Sequence, residues 1–296
     1  MRAGRRWLVT GAGGQLGRCL AERLRGRGDF DLAAALDRVA LDVTDEKAVH
    51  SAVRELAPDV VANAAAMTQV DLCESEPEAA ELANARAPGF LADACRAVGA
   101  RLIQLSTDYV FDGRGVRPYT ETDPTAPRSV YGRTKLEGER RALAGCPDAL
   151  VVRTAWVFGP GRNFVATILQ AAARARRGGP ALRVVDDQRG SPTYAGHLAD
   201  ALLQLVEADA RGLYHVANSG TATWWELARA AVDAWGHPEL PIEKVATHEF
   251  PRPAPRPTWS VLDLGRAERA GLRMPAWRDG LRAYLESDAS PLAGLD

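Results

Sequence analysis

This chain of 296 residues has little to offer a metal, a membrane or a nucleic acid. Its four cysteines (Cys19, Cys73, Cys95 and Cys146) are scattered without metal-ligand spacing and read as reduced thiols of a cytoplasmic protein. Its histidines (His50, His197, His215, His237 and His248) stand apart and form no pattern such as H-E-x-x-H, so no metal residues are assigned. No apolar run approaches the ~18 residues of a membrane-spanning helix. The apolar stretch at residues 7–10, after a basic N-terminus, is too short for a signal-peptide core. A formal net charge of −1 gives no general attraction to nucleic acid or to anionic membranes. Internal repeats and low-complexity tracts are missing as well.

What is present is an ordinary globular composition, 46% hydrophobic and 25% charged, with material for one large or two fused domains. In the first half, short apolar runs at residues 7–10, 31–36, 60–64, 101–106 and 150–153 read as strands. Helical stretches at 17–25, 46–56, 77–98 and 130–143 separate them, and Thr44-Asp45 supplies a cap for the second. This alternation predicts an α/β fold with a doubly wound parallel sheet. The second half concentrates proline and tryptophan. The run Pro251-Arg-Pro-Ala-Pro-Arg-Pro257 suits neither a helix nor a central strand and reads as a loop fixed against the body.

Gly11, Gly14 and Gly17 lie between the first strand and the first helix. Missing side chains there let the backbone turn tightly and approach a pyrophosphate, and the helix start offers N–H groups and partial positive charge. The position between strand and helix makes this a dinucleotide loop rather than a turn alone. A carboxylate after the second strand would take a ribose 2′-hydroxyl, and an arginine there a 2′-phosphate. Asp37 and Arg38 are adjacent, so NADH and NADPH both remain open. Asp42 lies further on, where a helix cap is its plain reading.

Tyr131 and Lys135 are one helical turn apart, which sets a phenol and an ammonium on one face. A neighbouring cation favours the phenolate and so tunes a proton donor, although such a pair alone is common on surface helices. Thr107 follows a predicted strand, at the end that faces a ligand crevice, and reads as a substrate contact or as the cap of a turn.

Thr107, Tyr131 and Lys135 resemble the catalytic set of the short-chain dehydrogenase/reductases, in which the tyrosine protonates a carbonyl as hydride reaches its carbon. The resemblance narrows through Gly14-Gln-Leu-Gly17, Asn63-Ala-Ala-Ala66 with Val70-Asp71, Ser106-Thr-Asp-Tyr-Val-Phe111 and Tyr131-Gly-Arg-Thr-Lys135. It continues through Arg153-Thr-Ala-Trp-Val157, Asn163-Phe164, Val185-Asp-Asp-Gln188, Gly190-Ser-Pro-Thr193, Arg256-Pro257 and Ser260-Val-Leu-Asp263. This series, from residue 8 to about 285, is similar to the dTDP-4-dehydrorhamnose reductase family, which makes dTDP-L-rhamnose from a 4-keto sugar.

The resemblance implies that Thr107, Tyr131 and Lys135 are catalytic. It places Gly11, Gly14, Gln15, Leu16, Gly17, Asp37, Arg38, Asp42, Val43, Ala64, Ala65, Ala66, Met67 and Thr68, with Tyr131 and Lys135, around NADPH or NADH. Met67 departs from the aromatic or histidine usual before that threonine. The dTDP-sugar would meet Thr107, Asp108, Trp156, Asn163, Gln188, Thr193 and Arg256. The resemblance also allows a homodimer and Mg2+, though no carboxylates are assigned to the ion. A Rossmann-like NAD(P)-binding domain is expected over 1–153, completed by 193–218, with a smaller C-terminal substrate-binding domain from 154–192 and 219–296. Related readings are a deoxysugar ketoreductase of an antibiotic pathway, such as dTDP-dihydrostreptose synthesis, a nucleotide-sugar epimerase or dehydratase, and a noncatalytic subunit like methionine adenosyltransferase beta.

Overall fold

A computed structural model describes residues 4–25 and 27–295. The first half runs β1 (Arg5–Thr10), α1 (Gln15–Arg25), β2 (Phe30–Leu36), α2 (Glu46–Leu56), β3 (Val60–Asn63), α3 (Val70–Ser75), α4 (Pro77–Glu81), α5 (Ala87–Val98), β4 (Arg101–Thr107), α6 (Val130–Gly145) and β5 (Leu150–Thr154). The second half runs β6 (Val157–Phe158), α7 (Phe164–Arg176), β7 (Leu182–Val185), β8 (Arg189–Gly190), β9 (Thr193–Tyr194), α8 (Ala195–Glu207), β10 (Gly212–His215), β11 (Ala222–Thr223), α9 (Trp224–Ala234), β12 (Ile242–Val245), α10 (Gly265–Arg269) and α11 (Trp277–Leu285).

Six strands form one parallel sheet in the order β10-β5-β4-β3-β1-β2. Its apolar runs are continuous because both faces are covered. Successive residues of one strand point to opposite faces. Trp7 and Val9 enter a core with α1 and α8, whereas Leu8 enters another with α2 and α5. Leu150 and Val152 likewise join the first core and Val151 the second. Tracing from β1, the chain goes one way to β2 and the other way to β3, β4 and β5. The switch point therefore lies between β1 and β3, where a crevice opens at the carboxyl ends of the strands. Residues 212–215 return to pair with residues 150–153 as the edge strand.

A third core joins α7, α9 and α11 through residues such as Leu169, Leu227, Trp277 and Tyr284. The proline run is pinned to the first half. Ala254 N–H donates to Asp71 Oδ1 (3.2 Å), Arg256 Nη2 to Asp71 Oδ2 (2.8 Å), and Trp259 N–H to the Gly113 carbonyl (3.1 Å). Among the described residues, no helix is long and apolar enough to cross a membrane.

The helix expected at 77–98 runs its full length but carries a π-bulge. Residues Leu82–Arg86 form a π-helical turn, with Ala87 N–H donating to the Leu82 carbonyl. Pro88 removes an N–H at this point, and a wider turn accommodates the loss. The turn also presents Asn84 inward. Its side chain bonds both the N–H and the carbonyl of Met67 (2.9 and 3.0 Å), which fixes the loop after β3.

Candidate active site

The crevice holds two adjoining cavities. The first, of about 560 Å3, is lined by Gly11, Gly14, Asp37, Arg38, Asp42, Val43 and residues 64–68. The second, of about 730 Å3, runs from Gly14, Gln15 and Leu16 past Thr107, Asp108, Tyr131 and Lys135 to Trp156, Trp224 and Arg256. Gly13, Gly14, Ala64, Ala66 and Thr68 line both, so the two form one trough.

The glycine loop is shaped by close backbone approach. Gly11 has φ +66°, and a Cβ there would lie 2.5 Å from Ala65 N; a Cβ on Gly17 would lie 2.3 Å from the Gly11 carbonyl oxygen. Gly17 thus packs α1 onto the loop, and the first turn of α1 points N–H groups without intrahelical acceptors at the trough. At the strand ends, Thr10 Oγ1 donates to Asn63 Oδ1 (2.7 Å) and Asn63 Nδ2 donates to Gln104 Oε1 (2.8 Å), which ties β1, β3 and β4 together below the loop. Asp37 Oδ1 accepts from the N–H groups of Val39 and Ala40 (3.0 Å each), so its carboxylate is held at the cavity wall. Asp42 accepts from Thr44 N–H and hydroxyl, whereas Asp45 caps α2. Three buried side-chain oxygens on the trough, Gln15 Oε1, Asp108 Oδ2 and Thr154 Oγ1, lack a protein partner among the described residues. Glycines that admit a backbone, free helix N–H groups and unpartnered oxygens suit a dinucleotide lying along the trough.

Ser129 caps α6 by accepting from Gly132 N–H (3.1 Å), and Glu74 accepts from Val130 N–H (2.8 Å). This sets Tyr131 facing the cleft, edge-on to Tyr109 with ring centroids 5.6 Å apart. Lys135 is buried, and its Nζ donates to the Leu105 carbonyl (2.6 Å). Thr107 caps a turn and also faces the cleft. Its hydroxyl accepts from Tyr109 N–H (3.2 Å) as the cap of a short turn, donates to Asp108 Oδ1 (2.9 Å), and still lines the cleft.

In the resting site the Tyr131 phenol does not lie below its ordinary pKa, as its spacing from Lys135 alone would have it. Burial pushes the phenol above its ordinary value, and the group that pulls it down is the Thr107 hydroxyl. Although partly exposed to the cleft, Tyr131 is surrounded by protein on its other sides, so desolvation dominates. Burial also lowers Lys135 to about 8, against the pull of Glu139. Burial raises Asp108 to about 6, and its Oδ2 lacks a hydrogen-bond partner.

Three expected sugar contacts are committed to protein partners instead. Asn163 caps α7 and donates to the carbonyls of Gly159 and Gly161 and to Tyr284, so it shapes the loop that carries Pro160, Gly161 and Arg162 to the cleft. Gln188 accepts from Trp224 Nε1 (3.0 Å) and donates to Thr247. Thr193 is fully buried and donates to the Ser191 carbonyl. Trp156 does line the cleft, at φ +48°, with its indole stacked on Trp224 (3.5 Å between centroids). Arg256 lines it too, braced by Asp71.

Sequence reasoning missed Trp224, Asn84 and the buried group Ser106, Glu139 and Arg153. Only Glu139 carried a readable signal, four residues beyond Lys135. Among the described residues, no group of three or more His, Cys, Asp or Glu side chains comes together as a metal site.

A doubly wound sheet with a glycine loop at its switch point, and a Tyr-x-x-x-Lys helix turn in the same crevice, define an extended short-chain dehydrogenase/reductase. The sequence profile described as the RmlD substrate binding domain matches residues 5–290. A dTDP-4-dehydrorhamnose reductase of Mycolicibacterium smegmatis is 48% identical, over 94% of this chain and 84% of that one. A probable dTDP-4,6-dihydroxy-2-methyloxan-3-one 4-ketoreductase of Streptomyces antibioticus is 44% identical, over 94% and 93%. The crystal structure of Bacillus anthracis dTDP-4-dehydrorhamnose reductase in complex with NADP superposes with a TM-score of 0.88 at 34% identity, covering 95% of this chain and 99% of that one. The chain belongs to the dTDP-4-dehydrorhamnose reductase family.

Proposed function

We propose that the protein reduces the 4-keto group of a dTDP-4-keto-6-deoxy sugar, dTDP-4-dehydrorhamnose giving dTDP-L-rhamnose, with NAD(P)H as reductant. The observation that carries this reading is the trough itself. It leads from the glycine loop to Tyr131, Lys135 and Thr107 and ends at Trp156 and Arg256. The dinucleotide, when bound, supplies the hydride for the ketone carbon.

The chain's own residues do the rest. Tyr131 enters protonated because burial keeps its phenol neutral, and it delivers that proton to the carbonyl oxygen as negative charge develops there. Lys135 has N–H donors left beyond the one bonded to Leu105, and these would hold the nicotinamide ribose, while its charge would steady the phenolate as the proton leaves. The Thr107 hydroxyl orients the ketone between Tyr131 and the hydride donor. Trp156 covers the sugar, and Arg256, with its planar fork, takes the diphosphate. Asp37 and Arg38 offer the adenosine ribose a carboxylate and a guanidinium side by side, which accommodates either cofactor.

Purified protein should oxidise NADPH or NADH only when a dTDP-4-keto-6-deoxy sugar is present, with the alcohol identified by NMR. Oxidation with other keto sugars but not with these would sink the substrate assignment. A tightly held dinucleotide with no net consumption would favour an epimerase or dehydratase. The Streptomyces relative favours a second reading, a ketoreductase for another dTDP-keto sugar, and a panel of such sugars separates the two.

A further inference from the structure

We propose that Glu139 is a positioning residue, the counter-charge that keeps the buried ammonium of Lys135 protonated and fixed beside Tyr131. Tyr131, Lys135 and Glu139 are spaced four apart and so share one face of α6. Lys135 and Glu139 are each only 4% exposed. The hydrogen bond from Lys135 to the Leu105 carbonyl serves an amine as well as an ammonium, so it does not hold the charge. A buried lysine without a countercharge sheds its proton.

The ionisable groups about this end of α6 come from several elements. α3 brings Cys73 and Glu74, the turn after β4 brings Asp108 and Tyr109, β5 brings Arg153, and β10 brings His215. Glu74 is engaged by Val130 N–H, Asp108 by Thr107, and burial beside Arg153 keeps His215 neutral. Glu139 is the group whose charge bears on Lys135 and opposes its desolvation.

Glu139 is itself held from behind. Its Oε1 accepts from Arg153 Nε (2.8 Å) and from the Ser106 hydroxyl, and its Oε2 accepts from Arg153 Nη2 (2.7 Å). Arg153 also lies over the Phe111 ring, 5.0 Å from its centroid. The plainer alternative is that Glu139 and Arg153 form a bridge whose only task is to tie α6 to β5. Such a bridge depends on both partners equally, whereas the charge that opposes the desolvation of Lys135 is the carboxylate's and not the guanidinium's.

The chain has only three lysines, Lys47, Lys135 and Lys244, so lysine labelled with 13C at Cε gives three resolvable titrations, and Lys135→Met identifies the relevant one. In the wild-type protein the Lys135 signal should titrate near 8. Glu139→Gln should lower that midpoint by roughly one unit or more. Arg153→Met, which leaves the carboxylate in place, should not lower it. The double variant Glu139→Gln/Arg153→Met avoids an unpaired buried guanidinium, covers the case in which Glu139→Gln fails to fold, and should again show the lower midpoint. A one-unit fall corresponds to about a threefold loss of charged lysine at pH 7.5, and turnover should drop to match and recover at lower pH. A Lys135 midpoint unchanged in the Glu139→Gln and double variants, or lowered equally by Arg153→Met, overturns the proposal. The turnover consequence rests on the reductase reading; if that reading fails, wild-type protein turns over no keto sugar, while the titration still decides the role of Glu139.

Discussion

Alanine at Gly17 should cost the protein stability and cofactor together, although alanine is the better helix former. In a helix interior the exchange normally gains about 0.5–1 kcal/mol. Here the new Cβ would lie 2.3 Å from the Gly11 carbonyl oxygen, 2.7 Å from Ala12 Cα and 2.9 Å from the Gly11 carbonyl carbon. All three are backbone atoms, so no side chain can swing away. Ordinary contact begins near 3.4 Å, which requires α1 and the loop to part by roughly 1 Å. α1 cannot simply retreat, because Leu16, Cys19, Leu20 and Leu24 are packed in the core shared with α8. Overpacking of this kind costs about 1–3 kcal/mol, which exceeds the helix gain and lowers Tm by a few degrees. The same displacement moves the N–H groups of the first turn away from a pyrophosphate, so NADPH affinity should fall at least ~10-fold. The other loop glycines calibrate the argument. Gly11→Ala should be as damaging, since its φ is +66° and its Cβ meets Ala65 N at 2.5 Å. Gly14→Ala meets the Gly11 carbonyl at 3.3 Å and should be milder, and Gly13→Ala meets only Asp37 Cβ, at 3.5 Å, and should be nearly neutral for stability. Calorimetric Tm and NADPH titration by fluorescence measure both effects. If Gly17→Ala matched Gly13→Ala in both, the steric reasoning would be refuted.

Asp108→Asn should stabilise the protein near neutrality. The folded pKa is raised to about 6, so the native state binds this proton more tightly than the unfolded chain. Stability is therefore lost as pH rises from about 4 to about 6, and the penalty, at most about 3 kcal/mol, is full above that window. Melting temperature should rise by a few degrees at pH 7.5 and change little at pH 4; no change at either pH contradicts the assignment. Gln188→Ala removes the acceptor that fixes Trp224 against Trp156, so KM for the nucleotide sugar should rise severalfold while KM for the cofactor stays put. Asp37→Ala should shift binding toward NADPH and Arg38→Ala toward NADH, read by calorimetric titration of each dinucleotide.

The parallel sheet was legible because its strands are continuous apolar runs between helical stretches, and its edge strand at 212–215 falls within the stretch 193–218 expected to complete it. The glycine loop and the Tyr131/Lys135 turn were legible because each is local, with all its atoms within one turn or one loop. What escaped depends on partners far apart in sequence. Gln188 carries the amide expected of a sugar contact, but only the fold reveals that Trp224 claims it. The π-helical turn at Leu82–Arg86 serves Met67, 17 residues before Asn84, and no periodicity reports that. Lys135 was expected to act on Tyr131 by proximity alone. Burial, which spacing does not disclose, proved the larger influence on both.

The central claim is that Tyr131 donates the proton in a trough whose cofactor half does not depend on its hydroxyl. Tyr131→Phe keeps the ring against Tyr109 and removes only the oxygen. Rapid mixing of this variant with NADPH and dTDP-4-dehydrorhamnose, followed by product NMR, is the direct test. NADPH affinity should stay within about twofold of wild type and reduction should slow ~100-fold or more. Product formation at the wild-type rate would contradict it.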